Sequence, residues 1–175
     1  MQFNKSVLTA ALLTVGSLAA IPANAASPAK GSFNVLLEVK AVCTVNAAIG
    51  TQDIDFGAID AGATPDPVIA TSTTALSVQC SKGSPYKIAL TPASTSKTDG
   101  TGEMKNATDV IAYSLFSNAG ATTPWGSEAT NDVDGTGQGT ATANIINHPV
   151  YAKVTGSTNV STGQYTDLVN VAVTY

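Results

Sequence analysis

Apolar residues in this chain recur at every second position in short runs, and clusters of Gly, Pro, Asp and Asn cut one run from the next. Leu76, Val78 and Cys80 fall on one side of an extended strand, as do Tyr86, Ile88 and Leu90, and again Ile111, Tyr113 and Leu115. A period of two belongs to a pleated strand, and no stretch carries the 3.6-residue period of an amphipathic helix. The intervening positions, Ser77, Gln79, Lys87, Ala112 and Ser114, are polar or small, so one side of each sheet is expected to meet water. Predicted strands span 41–49, 53–59, 75–81, 86–92, 110–117, 140–147, 149–155 and 169–175, with turns at 60–67 and 94–102. Strands without intervening helices predict an all-β, immunoglobulin-like sandwich.

The first 25 residues have the pattern of a secretory leader. Lys5 supplies the positive charge, Val7 to Ala20 the apolar stretch, and Ala23-Asn24-Ala25 the small-x-small cleavage pattern. The apolar stretch is shorter than the ~20 residues that cross a bilayer, so the expectation is a soluble mature chain beginning near Ala26. A chain of that length is enough for one domain with one core. The 175 residues carry eight Lys, no Arg and twelve carboxylates, a net charge of −4. No basic patch exists to neutralise phosphates, which excludes nucleic acid as the expected partner.

Two cysteines, Cys43 and Cys80, are present. In an exported chain an even count predicts a disulfide, stabilising the fold by roughly 4 kcal/mol in the chain-entropy view. A metal pair would need further ligands, and the single His148 sits before Pro149, where a loop or edge histidine is expected. A Ser-His-Asp or Cys-His arrangement would have to be built around His148, the one imidazole, and none is expected. The carboxylate pairs Asp53/Asp55 and Asp132/Asp134 lie in turn-like, Gly-rich settings where solvated Asp is ordinary. The Asp132-x-Asp134-Gly135 run resembles part of a calcium loop, but an EF-hand alignment puts Thr130 first and Ala141 last, where carboxylates are required, so a surface hairpin loop is expected. Trp125 in "TTPWGS" reads as a packed corner aromatic, with a sugar-stacking role as its alternative. Neither a cofactor nor a metal nor an enzymatic activity is expected.

Two strands stand out. At the C-terminal end Val169, Val171, Val173 and Tyr175 share one face up to the last residue, so this strand is expected to lack a following partner. Just after the leader, Phe33, Val35, Leu37 and Val39 share another, with Asn34, Glu38 and Lys40 opposite and Leu36 the one break. Pattern alone makes the latter the ordinary first strand of the sandwich, paired within its own chain.

The segments "FGAIDAG" (56–62), "LSVQCSKGSPYKIAL" (76–90), "GEMKNATDVIAYSLFSNAG" (102–120), "PWG" (124–126) and "GQYTDLVNVAVTY" (163–175) together resemble the spore coat protein U domain. That family includes subunits of archaic chaperone–usher pili, such as Csu pili. The resemblance implies an incomplete immunoglobulin-like sandwich completed by a donor strand from a neighbouring subunit. It divides the chain into a leader (1–25), a donor segment (26–40) and a pilin domain (41–175). Phe33, Val35, Leu37 and Val39 would be the donor side chains, and Val169, Val171, Val173 and Tyr175 would border the acceptor groove. The implied partners are copies of the chain or related pilin subunits, a periplasmic chaperone and an outer-membrane usher. The implied location is a cell-surface pilus reached through the periplasm, with fibre formation, adhesion and biofilm as the function. The alternative is a self-complete, monomeric secreted or coat-associated domain that binds carbohydrate near Trp125.

Overall fold

The computed structural model describes residues 30–48, 50–63 and 71–175. The expected leader, Ile49 and part of the 60–67 turn lie outside them. The chain divides into two units, Met1–Glu38 and Val39–Tyr175. In the first, the described residues form no strand.

The second unit is all-β. Its strands are β1 (Cys43–Asn46), β2 (Thr71–Cys80), β3 (Pro85–Pro92), β4 (Thr101–Asn106), β5 (Asp109–Phe116), β6 (Val133–Thr136), β7 (Ile146–Val154) and β8 (Val169–Thr174). One antiparallel sheet has the order β1-β2-β7-β5-β4, the other β6-β3-β8. Period-two alternation sets which side chains meet between the sheets. Leu76, Val78 and Cys80 from β2, Leu115 from β5 and Val150 and Ala152 from β7 face Tyr86, Ile88 and Leu90 from β3, all buried. The register of β8 on β3 places Val173 opposite Ile88, Val171 opposite Leu90 and Val169 opposite Pro92, which brings the β8 valines to the same core.

Four expectations change. Residues 53–59 belong to no strand, although their side chains alternate between half-buried and exposed as far as Phe56. Residues 140–147 are not a strand of their own: a 3₁₀ turn, Thr142–Asn144, precedes β7, which absorbs Ile146 and Asn147. β4 and β6 occupy stretches expected to be turn or loop. Each carries a glycine paired across the ladder with a tyrosine, Gly102 with Tyr113 and Gly135 with Tyr86. A Cβ at either glycine would collide with the tyrosine ring, so the ring covers bare backbone there and the glycine is needed in the strand rather than breaking it.

His148 is the fourth change. It is neither in a loop nor on an edge, but in β7, which lies between β2 and β5. Its Nε2 and the Tyr86 hydroxyl share a hydrogen bond of 2.8 Å, and its ring meets those of Tyr86 and Trp125 edge-on, at centroid distances of 5.8 and 6.5 Å. Trp125 is 1% exposed and donates its indole N–H to the Ile88 carbonyl at 2.9 Å. It is a packed corner aromatic, not a sugar platform.

Burial holds the His148 pKa below the ordinary histidine value of 6.5. The folded state therefore takes up this proton less readily than the unfolded state. Its contribution to stability is complete above pH 6.5 and is lost as the pH falls from there through the lowered folded value. Urea denaturation at pH 7.5 and pH 5 should show the native chain losing more stability than His148→Gln over that interval. Equal losses would remove His148 from the acid response.

Candidate functional site

The three-stranded sheet stops at β8, whose neighbour is β3 on one side only. Among the described residues no strand pairs with its other edge. The direction of its backbone groups follows from β3. Leu90 donates its N–H to the Gly126 carbonyl at 2.9 Å, away from β8. In an antiparallel pair, opposite residues turn their backbone groups either both inward or both outward, so Val171, across from Leu90, points its N–H and C=O to the open edge. Val169 and Val173 follow by alternation. The same three valines turn their side chains to the core, half-buried.

Beyond that edge lies a groove of about 570 Å³. Its floor is apolar, with Leu76, Leu90, Leu115 and Val150, and Val169 and Val171 form part of one side. The opposite wall comes from the segment after β1, including Ile54 and Phe56. A second cavity of about 400 Å³ shares Ile54, Phe56 and Met104 with the first and extends to the loop at 158–165. Val173 packs against the core, and Tyr175 is exposed beyond the end of β8.

The start of β8 is tied down by polar contacts between residues far apart in sequence. The Asp167 carboxylate accepts hydrogen bonds from the Ser94 hydroxyl and, at 2.8 Å, from the Tyr113 hydroxyl. Ala93 donates its N–H to the Leu168 carbonyl at 2.7 Å, and Lys105 and Thr166 exchange backbone bonds of 2.9 and 3.2 Å. These contacts join the β8 side of the groove to β4, β5 and the β3–β4 loop. Burial first, and the Asp167 carboxylate second, hold the Tyr113 phenol far above the usual tyrosine range, so it stays a neutral donor.

Ahead of the other wall in sequence, Cys43 and Cys80 sit directly opposite each other in the β1–β2 ladder and are bonded, with Cα atoms 4.1 Å apart. Ser81 donates its N–H to the Val42 carbonyl at 2.9 Å, and the Val42 N–H reaches the Ser81 hydroxyl at 3.0 Å, extending the ladder one residue toward the N-terminal segment. In that segment, Phe33, Val35, Leu37 and Val39 are each more than four-fifths exposed, and residues 30–42 belong to no strand.

The carboxylate pairs are engaged elsewhere. Asp53 accepts from the Gly50 N–H at 2.9 Å and Asp55 from the Gly57 N–H at 2.8 Å. Asp132 and Asp134 flank the Lys87 ammonium at 3.1 and 2.6 Å, and Asp134 lies on β6 rather than in a turn. Among the described residues no group of three His, Cys, Asp or Glu side chains is placed to hold a metal.

The sequence model of the Spore Coat Protein U domain matches residues 29–172. The chain belongs to this family. A comparison with curated protein sequences finds no match. Among solved structures, the chain is similar to one in the crystal structure of the CsuC–CsuE chaperone–tip adhesion subunit pre-assembly complex, from the archaic chaperone–usher Csu pili of Acinetobacter baumannii. The TM-score is 0.54 at 22% identity, over 78% of this chain and 40% of that one, so the family member spans less than half of the matched chain. The crystal structure of the P pilus rod subunit PapA matches with a TM-score of 0.47 at 19% identity, over 83% and 99% of the two chains. The first likeness carries the fold: an immunoglobulin-like sandwich, as the strand pattern predicts.

Parity places Tyr113 on the core face, but nothing in the sequence pattern points to its contact with Asp167. Tyr113→Phe should destabilise the domain by about 1–2 kcal/mol, because it removes a hydrogen bond to a charged acceptor. In a double-mutant cycle with Asp167→Ala, the two losses should fall short of additive. Strict additivity would show that the pair does not couple across the groove.

Proposed function

We propose that this protein is a structural subunit of a chaperone–usher pilus, polymerising by donation of residues 31–40 to the groove beside β8 of the next copy. One observation carries the reading: an apolar groove lies beside an unpaired strand edge, in a chain whose N-terminal segment leaves four alternate apolar side chains exposed. Burying Phe33, Val35, Leu37 and Val39 would contribute roughly 6–12 kcal/mol before entropy, at ~1.5–3 kcal/mol each. Backbone bonds to the outward N–H and C=O groups of Val169, Val171 and Val173 would fix the register, as in strand addition at a sheet edge.

The choice of the odd-numbered face follows from the same chemistry. A shift by one would turn Asn34, Leu36 and Glu38 into the apolar floor, burying an amide and a carboxylate. In the periplasm a chaperone would lend its own strand to this groove, and an outer-membrane usher would exchange that strand for the donor of the next subunit. The fibre would then stand on the cell surface, where adhesion and biofilm formation are properties of the polymer. A single domain with both a donor and a groove suits a repeating shaft position. The alternative, a self-complete sugar-binding domain, loses its main residue because Trp125 is buried.

Leu37→Asp tests the reading directly. The variant should still form a soluble complex with the chaperone, yet fail to enter fibres when size-exclusion chromatography and electron microscopy are applied to the exported protein. Fibre assembly at the native level would overturn the donor assignment.

A further inference from the structure

The two ends of the Cys43–Cys80 bond sit in unequal surroundings. Cys80 is on β2, which has β1 on one side and β7 on the other, and it is 1% exposed. The segment that leads from β6 to β7 lies against it. There the Gly139 N–H reaches the Cys80 carbonyl at 3.0 Å, and a Cβ added to the buried Gly137 would come within 2.8 Å of the Cys80 Cβ. Cys43 is on β1, the last strand of its sheet. It is only half-buried, and Val45, two residues on and on the same face, is exposed.

We infer that Cys43 is the reactive end of this bond: an external thiolate exchanges with the disulfide at Cys43, from the open edge of β1, and not at Cys80. A thiolate displaces a sulfur along the line of the bond it breaks, and access decides which sulfur it reaches. Because the two residues face each other across the ladder, the bond runs from β1 to β2. Attack on Cys43 therefore comes from beyond β1, where its sheet ends. Attack on Cys80 would have to come from the side of β7 and the Gly137–Gly139 segment, which is occupied.

In the first step the incoming thiolate bonds to the Cys43 sulfur, the Cys43–Cys80 bond breaks, and Cys80 leaves as the thiolate. A second external thiolate then attacks the external sulfur on Cys43, which releases Cys43 as a thiolate and leaves an external disulfide. The two electrons that reduce the bond come from the two external thiols, and water protonates the two cysteines. The reverse sequence makes the bond: the Cys43 thiolate takes up one half of an external disulfide, and the Cys80 thiolate displaces it. Cys80 is held opposite Cys43 by the ladder, so it competes with the second thiolate and recloses the bond.

Trapping with glutathione tests this on the full oxidised chain. The folded protein is incubated with reduced and oxidised glutathione, quenched with acid and digested, and the glutathione attached to each cysteine is measured by mass spectrometry. Cys43 should carry at least about tenfold more than Cys80. In urea the preference should vanish, because both sulfurs then meet solvent alike. Equal labelling in the folded chain, an excess on Cys80, or no label on Cys43 would each overturn the inference. A preference that survives urea would overturn it as well, by showing that the neighbouring residues and not the fold select the sulfur.

Discussion

A β-sandwich core is dry only when both sheets are wide enough to cover it, and here five strands face three. Leu76, Leu115 and Val150 of the larger sheet line the floor of the groove where the smaller sheet ends, and the β8 valines beside it are half-buried. This mismatch governs much of the rest. The Asp167 carboxylate, with Ser94 and Tyr113, holds one side of the opening in place, and the disulfide anchors the strand that leads into the other. A groove whose sides were free to collapse would close and leave nothing to bind. Preorganisation of this kind lowers the ordering cost that any incoming segment must overcome.

The edges of the two sheets are treated differently. β4 carries Glu103 and Lys105, and β6 carries Asp134, ion-paired with Lys87 on β3. Charged residues at an edge discourage pairing with a stray strand. β8, Val-Asn-Val-Ala-Val-Thr, has no charge and no proline along its open edge. Its composition invites a partner where those of β4 and β6 turn one away.

Much of this architecture was legible in the sequence because period-two alternation is a strong signal in β2, β3, β5 and β8, each of which lies within three or four residues of its predicted limits. The pairing of Cys43 with Cys80 was legible because no other cysteine exists. β4 and β6 were not, since Gly102 and Gly135 read as turn residues until the tyrosines that lie over them are known, and those tyrosines are supplied by neighbouring strands. Residues 53–59 misled in the opposite sense: Ile54 and Phe56 have the right parity, but parity reports which way side chains face and not whether the backbone has a partner. In the candidate site, the valines of β8 could be read from spacing. The bond from Tyr113 to Asp167 could not, because it spans 54 residues and depends on how the sheets are stacked.

The position of the disulfide has a mechanical consequence. In a fibre built by donated arms, tension would enter each domain along the chain from residue 40 and meet β1 first, a strand with only four paired residues. An edge strand pulled from its end peels one pair at a time. The Cys43–Cys80 bond lies at the first of those pairs, so the pull passes covalently into β2, which is flanked by strands on both sides. The groove wall at Ile54 and Phe56, which lies between the two cysteines in sequence, is bypassed by that path. A fibre of such units could be stretched hard without prying open the joints that hold it together.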